Sequence, residues 1–520
     1  MSPDQVRVES VDAIPSSAML TPNRFVAGPA FYNYDMYGGL RPGGLVHFFS
    51  TEFLGLVAAT FTSAFIYIGV RYGLLPLISI KLQLNDDQIE AMDRLVEVPA
   101  AMAFFVGLYA DAMPLWGSRR KSYMVVGMTF SLLCLAIIGF GCLFAEDLQK
   151  AIGSSFSYVM MLLMGGVSFG SMINFCSVHT VVVTLSQRES LERRGVFQAD
   201  YLVVRAAGQI TARLFVFLIQ NVVRKVEILL LLIVLMSLSV ISIVVVITSL
   251  DEPLAYLKES LRFKCESYWK VTKQKAVWKI LVFIASFAFF LNFSFPVVSN
   301  AFRQWTDTND SASWLLSTSL NDLFMIVTVL LYRWRYRNML WRRLFAVAPT
   351  MTIIPQGLMA VFAIPNLCRR SFIYILLNGV TGISYGIMAL MVLVPVTEII
   401  EEGSEGGVVG LALSFGTIFK VFASTLLTSI QRISYFPSND VVDTTHRRWS
   451  IAVLVSITIF AYSLAYVAIL ILPLQKLDAQ LVRMYGGFTD YAGALTAAAF
   501  VILLTYCVVY NIILFSNTIK

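Results

Sequence analysis

The sequence predicts an all-α, multi-pass membrane protein with two six-helix halves and one extra C-terminal transmembrane helix. Two observations place its helices in a membrane. First, 58% of the 520 residues are hydrophobic and only 14% are charged, with a mean hydropathy of +0.74, whereas a water-soluble protein must cover its surface with polar groups. Second, continuous apolar runs of about 18 or more residues recur along the chain, each long enough to cross ~30 Å of hydrocarbon as a helix.

Thirteen apolar segments set the order of the elements. They run over 53–80, 91–111, 122–144, 157–185, 196–219, 227–249, 277–300, 312–333, 343–364, 371–399, 407–430, 449–472 and 491–515. The predicted parts are an N-terminal tail at 1–50, a first half at 51–249, a linker at 250–276, a second half at 277–473 and a C-terminal part with the extra helix at 474–520. The tail is polar and rich in proline, so we expect it to be flexible.

Loop charges predict the orientation, because Lys and Arg concentrate in loops on the cytosolic side of a membrane protein. With the N-terminus inside, nineteen Lys and Arg fall in the cytosolic loops and linker, and ten fall in the opposite loops. We therefore expect a cytosolic N-terminus, in the plasma membrane or an organelle membrane. The same distribution explains the net charge of +7 without a nucleic-acid partner, since no segment gathers the cations into a soluble basic domain.

The residue pattern argues against an enzyme, a metal site or a cofactor. The six Cys include no CxxC, and the three His, at 47, 179 and 446, fall in different parts of the predicted topology. The chain has no GxxxxGK[ST] loop, which an ATP-driven pump would need. Six spans, a cytosolic linker and six more spans are instead typical of a secondary transporter made of two repeats. We expect it to work as a monomer in the lipid bilayer.

A charged loop follows the second span, in the stretch GLYADAMPLWGSRRKSYMVVG at 107–127. Three consecutive cations would suffice to hold this loop in the cytosol. The Asp and the glycines before them are not needed for topology, and they favour a gate that closes the cytosolic end. The predicted gate residues are Gly107, Asp111, Gly117, Arg119, Arg120 and Lys121.

This pattern resembles the gating-loop motif of the major facilitator superfamily. Its longer Asp-to-Gly spacing, together with Pro114 and Tyr123, is similar to the form in the folate–biopterin transporter family. Further similarity lies at 187–195, 401–420 and 472–480. The resemblance implies a major facilitator-like fold, transport by alternating access, and an anionic pterin or folate as the substrate.

The chain lacks three charges that members of this family commonly carry. Residues 100–103, after Pro99, contain no Lys where members carry one, and Phe175 and His179 stand where members carry two Asp in span four. Two alternatives therefore stay open. One is the transport of an unrelated organic anion, and the other is a non-transporting receptor or assembly protein on a transporter scaffold.

Polar and charged residues inside the predicted spans are candidates for a substrate cavity, because a charge that faces lipid costs about 2.5–3.5 kcal/mol on insertion scales. In span five, Arg205, Gln209 and Arg213 lie four residues apart and share one helix face. The candidate cavity residues are Tyr67, Arg71, Arg205, Gln209, Arg213, Asp322 and Lys420. The cations either attract an anionic substrate or form internal ion pairs.

Three carboxylates are candidate partners for such internal pairs: Asp322, Glu97 and Asp200. In the superfamily arrangement spans five and eight pack together, so Asp322 is expected near Arg205 or Arg213. Asp322 and His179 are also the candidates for proton coupling in a symporter, since His titrates near neutral pH. For His179, the alternative is a buried side chain that is hydrogen-bonded for structural reasons.

Overall fold

A computed structural model describes residues 39–153, 155–222, 227–253, 258–433 and 443–517. Within these ranges thirteen helices are long and apolar enough to cross a membrane. We number them as spans 1 to 13: Thr51–Lys81, Asp86–Ala112, Lys121–Leu143, Ser155–Ser186, Val196–Asn221, Ile228–Ser249, Lys275–Trp305, Ser311–Tyr336, Trp341–Ala363, Ser371–Ile399, Glu405–Gln431, Thr445–Leu470 and Ala492–Ser516. Their ends differ from the predicted ends by at most five residues, and the predicted all-α fold is confirmed.

Each half is a bundle of six spans. In the first half span 3 packs along span 4, and span 1 packs along spans 5 and 6. In the second half span 8 packs on span 10, span 9 on span 12, and span 7 on spans 11 and 12. The halves meet where span 2 packs on span 11 and span 5 on span 8. Span 13 lies outside both bundles, against spans 2 and 11.

Several spans are interrupted, and in spans 1 and 2 the interruption contains or adjoins a charged residue, Arg71 and Glu97. Span 1 widens into a π-helical segment at Gly69–Leu74, and span 2 tightens into a 3-10 segment at Val98–Met102, which contains Pro99. Span 7 is broken before Pro296, and span 10 consists of three short helices. Proline and π segments release backbone groups from the helical ladder, and such broken helices in transporters border a cavity.

Three shorter elements cover one end of the bundle, which we call the linker end. They are the linker helix Leu261–Lys273, the helix Lys476–Tyr485 after span 12, and residues 39–50. Residues 39–50 belong to the predicted tail, but Leu40 N donates to the carbonyl oxygen of Gln187 at 2.8 Å. Residues 1–38, the greater part of that tail, lie outside the described ranges.

Candidate transport cavity and gate

The predicted gate loop forms a tight turn between spans 2 and 3. Leu115 and Ser118 exchange two backbone hydrogen bonds of 3.0 and 2.9 Å. The two residues between them both have positive φ, 49° at Trp116 and 75° at Gly117. Positive φ at both central residues defines a mirror-image type I′ turn, in which glycine is strongly favoured, and this conformation explains the glycine at position 117.

The carboxylate of Glu252 caps the N-terminus of span 3. It accepts hydrogen bonds from the backbone nitrogens of Arg119, Arg120 and Lys121, at 2.7 to 3.1 Å. The unpaired amides at a helix N-terminus favour an anion, so Glu252 attaches the start of the linker to the gate loop. The Lys121 side chain donates to the Leu250 carbonyl at 2.7 Å, which is a second bond between the gate loop and the start of the linker.

Asp111 is fully buried at the linker end, where it joins the two halves. Its carboxylate accepts hydrogen bonds from the Arg120 guanidinium, the Tyr268 hydroxyl, and the backbone nitrogens of Gly406 and Gly407 at 3.2 and 3.0 Å. Burial and the nearby Asp111 raise the pKa of Tyr268 well above its usual value, so the phenol keeps its proton and donates it. Four donors thus hold one carboxylate at the N-terminus of span 11.

Gly107 lies one helical turn before Asp111 in span 2, and it lets spans 2 and 11 approach each other closely. A Cβ atom at Gly107 would lie 1.9 Å from the Gly406 carbonyl oxygen and 3.0 Å from the Gly407 nitrogen. Any side chain at position 107 would therefore push the two helices apart. The predicted gate motif and the start of span 11 form one contact, which joins the two halves at the linker end.

Further contacts join the two halves at the same end. Arg194 forms a buried ion pair of 2.7 Å with Glu398, and Gln187 Nε2 donates to the Thr397 carbonyl at 2.8 Å. Arg41, from the segment before span 1, forms an ion pair of 2.7 Å with Glu405 at the start of span 11.

A cavity of about 610 Å³ lies between the halves, deeper than the gate. All seven candidate cavity residues line it: Tyr67, Arg71, Arg205, Gln209, Arg213, Asp322 and Lys420. His179 and Phe175 line it as well. The volume is typical of small-molecule sites. Within the described part of the chain, no three His, Cys, Asp or Glu side chains are grouped so that they could hold a metal ion.

Spans 1, 2 and 11 contribute a cluster of charged residues to the cavity wall. Arg71 lies 2.6 Å from Asp93 and 3.3 Å from Glu97, and Lys420 lies 2.5 Å from Glu97. The Tyr67 hydroxyl accepts a hydrogen bond of 2.7 Å from Arg71. Glu97 is thus shared by a cation of its own half and a cation of the opposite half.

Asp322 pairs with Arg213, so spans 5 and 8 are joined by an ion pair inside the cavity. This is one of the two partners that the sequence predicted for Asp322. The third candidate carboxylate, Asp200, does not reach the cavity cations. It lies near the start of span 5, at the linker end, and pairs with Arg333 at 2.8 Å.

Arg205 is the one cavity cation that has no carboxylate within ion-pair distance among the described residues. Its guanidinium lies over the Phe175 ring, 4.0 Å from the centroid, and donates to the Tyr201 hydroxyl at 3.5 Å. His179 Nδ1 lies 3.3 Å from the same hydroxyl. The His179 ring packs edge-on against Phe175, with 5.3 Å between centroids.

Several residues of the site were not predicted. Asp93 is four residues before Glu97 and therefore on the same helix face, a spacing that would have identified it. Glu252, Tyr268 and Arg41 lie in the polar linker and tail, where a single charged or aromatic residue carries no local signal. They reach the gate only because the chain folds back over the linker end.

No protein-family model matches the chain, and no curated protein matches its sequence. Solved structures do resemble it. Two are of a bacterial homologue of the iron transporter ferroportin in the outward-facing state, one of them soaked with iron. The iron-soaked structure has a TM-score of 0.54 and 14% identity and covers 80% of this chain and 98% of its own. The other structure has a TM-score of 0.55 and 18% identity, and the match covers 81% of this chain and 98% of that one. The chain therefore has a major facilitator-type fold, and its similarity to the folate–biopterin family rests on the motifs alone.

Proposed function

We propose that the protein is a secondary active transporter that moves a small organic anion across the membrane by alternating access. The observation that carries the proposal is the cavity between the halves, in which Arg205 has no carboxylate partner among the described residues. A cavity charge without a counter-ion is costly in a membrane interior, and an anionic solute would neutralise it.

The proposed transport cycle opens and closes contacts between the halves. The hydrogen bonds of Asp111 with Gly406 and Gly407 support a first state in which the linker end is sealed, so that the solute enters from the opposite end. Passage then requires this seal to break and the opposite end to close. Two ion pairs inside the cavity, Lys420 with Glu97 and Arg213 with Asp322, also join the halves and rearrange when one half rocks against the other.

Pterins and folates are the first substrates to test, because the gate motif resembles that of the folate–biopterin family. An unrelated organic anion is the alternative, since Phe175 and His179 replace two acidic residues of that family. The proposed coupling ion is a proton, taken up at Asp322. Protonation of Asp322 would break its pair with Arg213, and the loss of this link between spans 5 and 8 would let one half rock against the other.

Uptake into proteoliposomes tests the proposal. The purified protein is reconstituted, and the influx of labelled pteroate, folate and biopterin is measured with and without an inward proton gradient. Saturable influx that the gradient accelerates is expected for at least one solute or for another organic anion in a wider screen. Binding without influx of any bound solute would contradict transport and favour a receptor on a transporter scaffold.

A further inference from the structure

The wall of the cavity has an excess of one positive charge. The wall contains four cations, Arg71, Arg205, Arg213 and Lys420. It contains three carboxylates, Asp93, Glu97 and Asp322. The carboxylates all contact Arg71, Lys420 or Arg213. The excess charge is therefore located at Arg205, in the first half of the bundle.

Neighbouring aromatic residues fix the position of Arg205. Phe175 supports the flat face of the guanidinium at 4.0 Å, and Tyr201 accepts one of its hydrogen bonds. A stacked guanidinium loses less side-chain freedom when a ligand binds. Its remaining N–H groups keep the fork geometry that matches the two oxygens of a carboxylate.

His179 supplies a second donor beside Arg205. The buried Tyr201 hydroxyl has one proton to donate, and arginine cannot accept it, so within the described structure the acceptor is His179 Nδ1. A neutral imidazole then carries its own proton on Nε2. This nitrogen is buried and has no hydrogen-bond partner among the described residues, although His179 lines the cavity. A buried donor without a partner is costly unless a ligand provides an acceptor.

We infer that Arg205 and His179 Nε2 form a subsite for one carboxylate group, and that the cavity selects solutes with a single negative charge. The inference rests on the proposed function and narrows its substrate class. One carboxylate neutralises the excess charge at Arg205. As long as Asp322 is ionised, a second carboxylate on the same solute would have no free cation and would have to compete with Asp322 or Glu97 for its partner.

Two sets of matched ligands test this subsite by binding to the purified, full-length protein. The first set is pteroate, its carboxamide and folate, which carry one, zero and two carboxylates. The second set has the same charges on an unrelated ring system: 2-naphthoate, 2-naphthamide and 2,6-naphthalenedicarboxylate. Affinity is measured from the ligand-induced rise in unfolding temperature. In at least one set we expect the monocarboxylate to bind roughly 10- to 100-fold more tightly than both its amide and the dicarboxylate.

Substitutions at Arg205 test whether this residue causes the preference for the carboxylate. Arg205→Gln should abolish the preference for the carboxylate over the amide, and Arg205→Lys, which keeps the charge but not the fork, should retain part of it. Arg262→Gln is the matched control, since the Arg262 side chain is 90% exposed on the linker helix. If Arg205→Gln does not fold, the comparison of carboxylate with amide in the unaltered protein still tests the inference.

Three results would overturn the subsite. In the first, neither monocarboxylate binds better than its amide. In the second, a dicarboxylate binds as tightly as its monocarboxylate. In the third, the preference for the carboxylate over the amide persists in Arg205→Gln. These outcomes are distinct from failure of the proposed function. Binding that depends on Arg205 but is accompanied by no influx would contradict transport and leave the subsite in place. Influx that is unaffected in Arg205→Gln would contradict the subsite alone.

Discussion

Lys420 Nζ of span 11 lies 2.5 Å from Glu97 Oε1 of span 2, so an ion pair joins the two halves beside the cavity. The two partners are not equivalent, because Glu97 also lies 3.3 Å from Arg71. Loss of Glu97 would leave two cations with one remaining carboxylate, whereas loss of Lys420 would leave Glu97 paired with Arg71.

This asymmetry predicts unequal effects on stability. We expect Glu97→Gln to lower the free energy of unfolding by roughly 2–4 kcal/mol, and Lys420→Gln by about 1 kcal/mol, since its side chain is 37% exposed. Unfolding temperatures in detergent measure both changes. The double variant should be more stable than Glu97→Gln alone, because it removes one unpaired cation. Equal effects of the two single variants would contradict the shared role of Glu97.

Gly107→Ala is expected to open the linker end, because the added Cβ would lie 1.9 Å from the Gly406 carbonyl oxygen. Buried Cys176 reports on this opening, since its sulfur contacts the Ala103 carbonyl on the cavity side of the gate. With the other Cys replaced by Ser, a water-soluble maleimide should label Cys176 several-fold faster in Gly107→Ala than in the parent protein.

Gly165→Ala is the matched control for the gate, because a Cβ at this span 4 glycine would meet no atom within 4 Å. Its Cys176 labelling rate should equal that of the parent protein. An unchanged rate in Gly107→Ala would show that spans 2 and 11 can separate without opening a path to Cys176.

The membrane fold could be predicted almost completely from the sequence, because the length of an apolar run is a local property of the chain. Candidate cavity residues could also be found, since a charge within a span must avoid lipid. Arg71, Arg205, Arg213 and Lys420 indeed line one cavity. Their partners were harder to predict, because pairing depends on depth and rotation within the bundle. Asp200 illustrates this, since it lies near the linker end of span 5 and contacts Arg333.

The partners of Asp111 at the gate could not be predicted from the sequence. Asp111 was predicted as part of a gate, but its partners in the second half are the backbone amides of Gly406 and Gly407, 295 and 296 residues away. A backbone donor has no residue-type signature. The glycines at 406 and 407 are needed because the Arg120 and Tyr268 side chains occupy the space where their Cβ atoms would lie.

Asp322→Asn is expected to uncouple uptake from the proton gradient. An amide cannot take up a proton near neutral pH, and Arg213 would no longer have a charged partner. Influx of a transported anion driven by an inward proton gradient should fall to the rate measured without a gradient, while exchange of internal for external solute continues. Asp490→Asn, at a side chain that is 96% exposed, should keep its response to the gradient. An unaltered response in Asp322→Asn would exclude Asp322 as the coupling residue.

We predict that Lys476, at the linker end, makes a contribution to the free energy of unfolding that depends on pH. Its ammonium donates to the carbonyls of Leu191 and Arg194, at 3.1 and 2.9 Å. Burial lowers the pKa of Lys476 to about 8, from an ordinary value of 10.5. Between these values the unfolded chain binds more protons than the folded protein, so the free energy of unfolding rises with pH.

The comparison with Lys476→Met isolates this effect. The unfolding temperature of the parent protein minus that of the variant should be constant below about pH 7 and should rise between about pH 8 and 10. Lys270→Met is the control at an exposed position of the linker helix. A difference that stays constant across the whole range, or that falls as the pH rises, would contradict the burial of a titrating Lys476.

Asn511 in span 13 is expected to stabilise the contact between spans 2 and 11. Its side-chain nitrogen donates to Thr425 of span 11 at 3.1 Å, and its oxygen accepts a hydrogen bond of 3.4 Å from Arg94 of span 2. Arg94 is 6% exposed and also donates to Thr428 of span 11. Span 13 thus bonds to one helix of each half at a point away from the gate.

Asn511→Leu keeps the branching pattern of the side chain and removes its hydrogen bonds with Thr425 and Arg94, which leaves one donor of a buried guanidinium without a partner. We expect a loss of roughly 1–3 kcal/mol in the free energy of unfolding, read as a lower unfolding temperature. Thr505→Leu makes a polar-to-leucine change at an exposed position of the same helix and should have little effect. If Asn511→Leu is equally harmless, the hydrogen bonds of Asn511 to spans 2 and 11 do not determine stability.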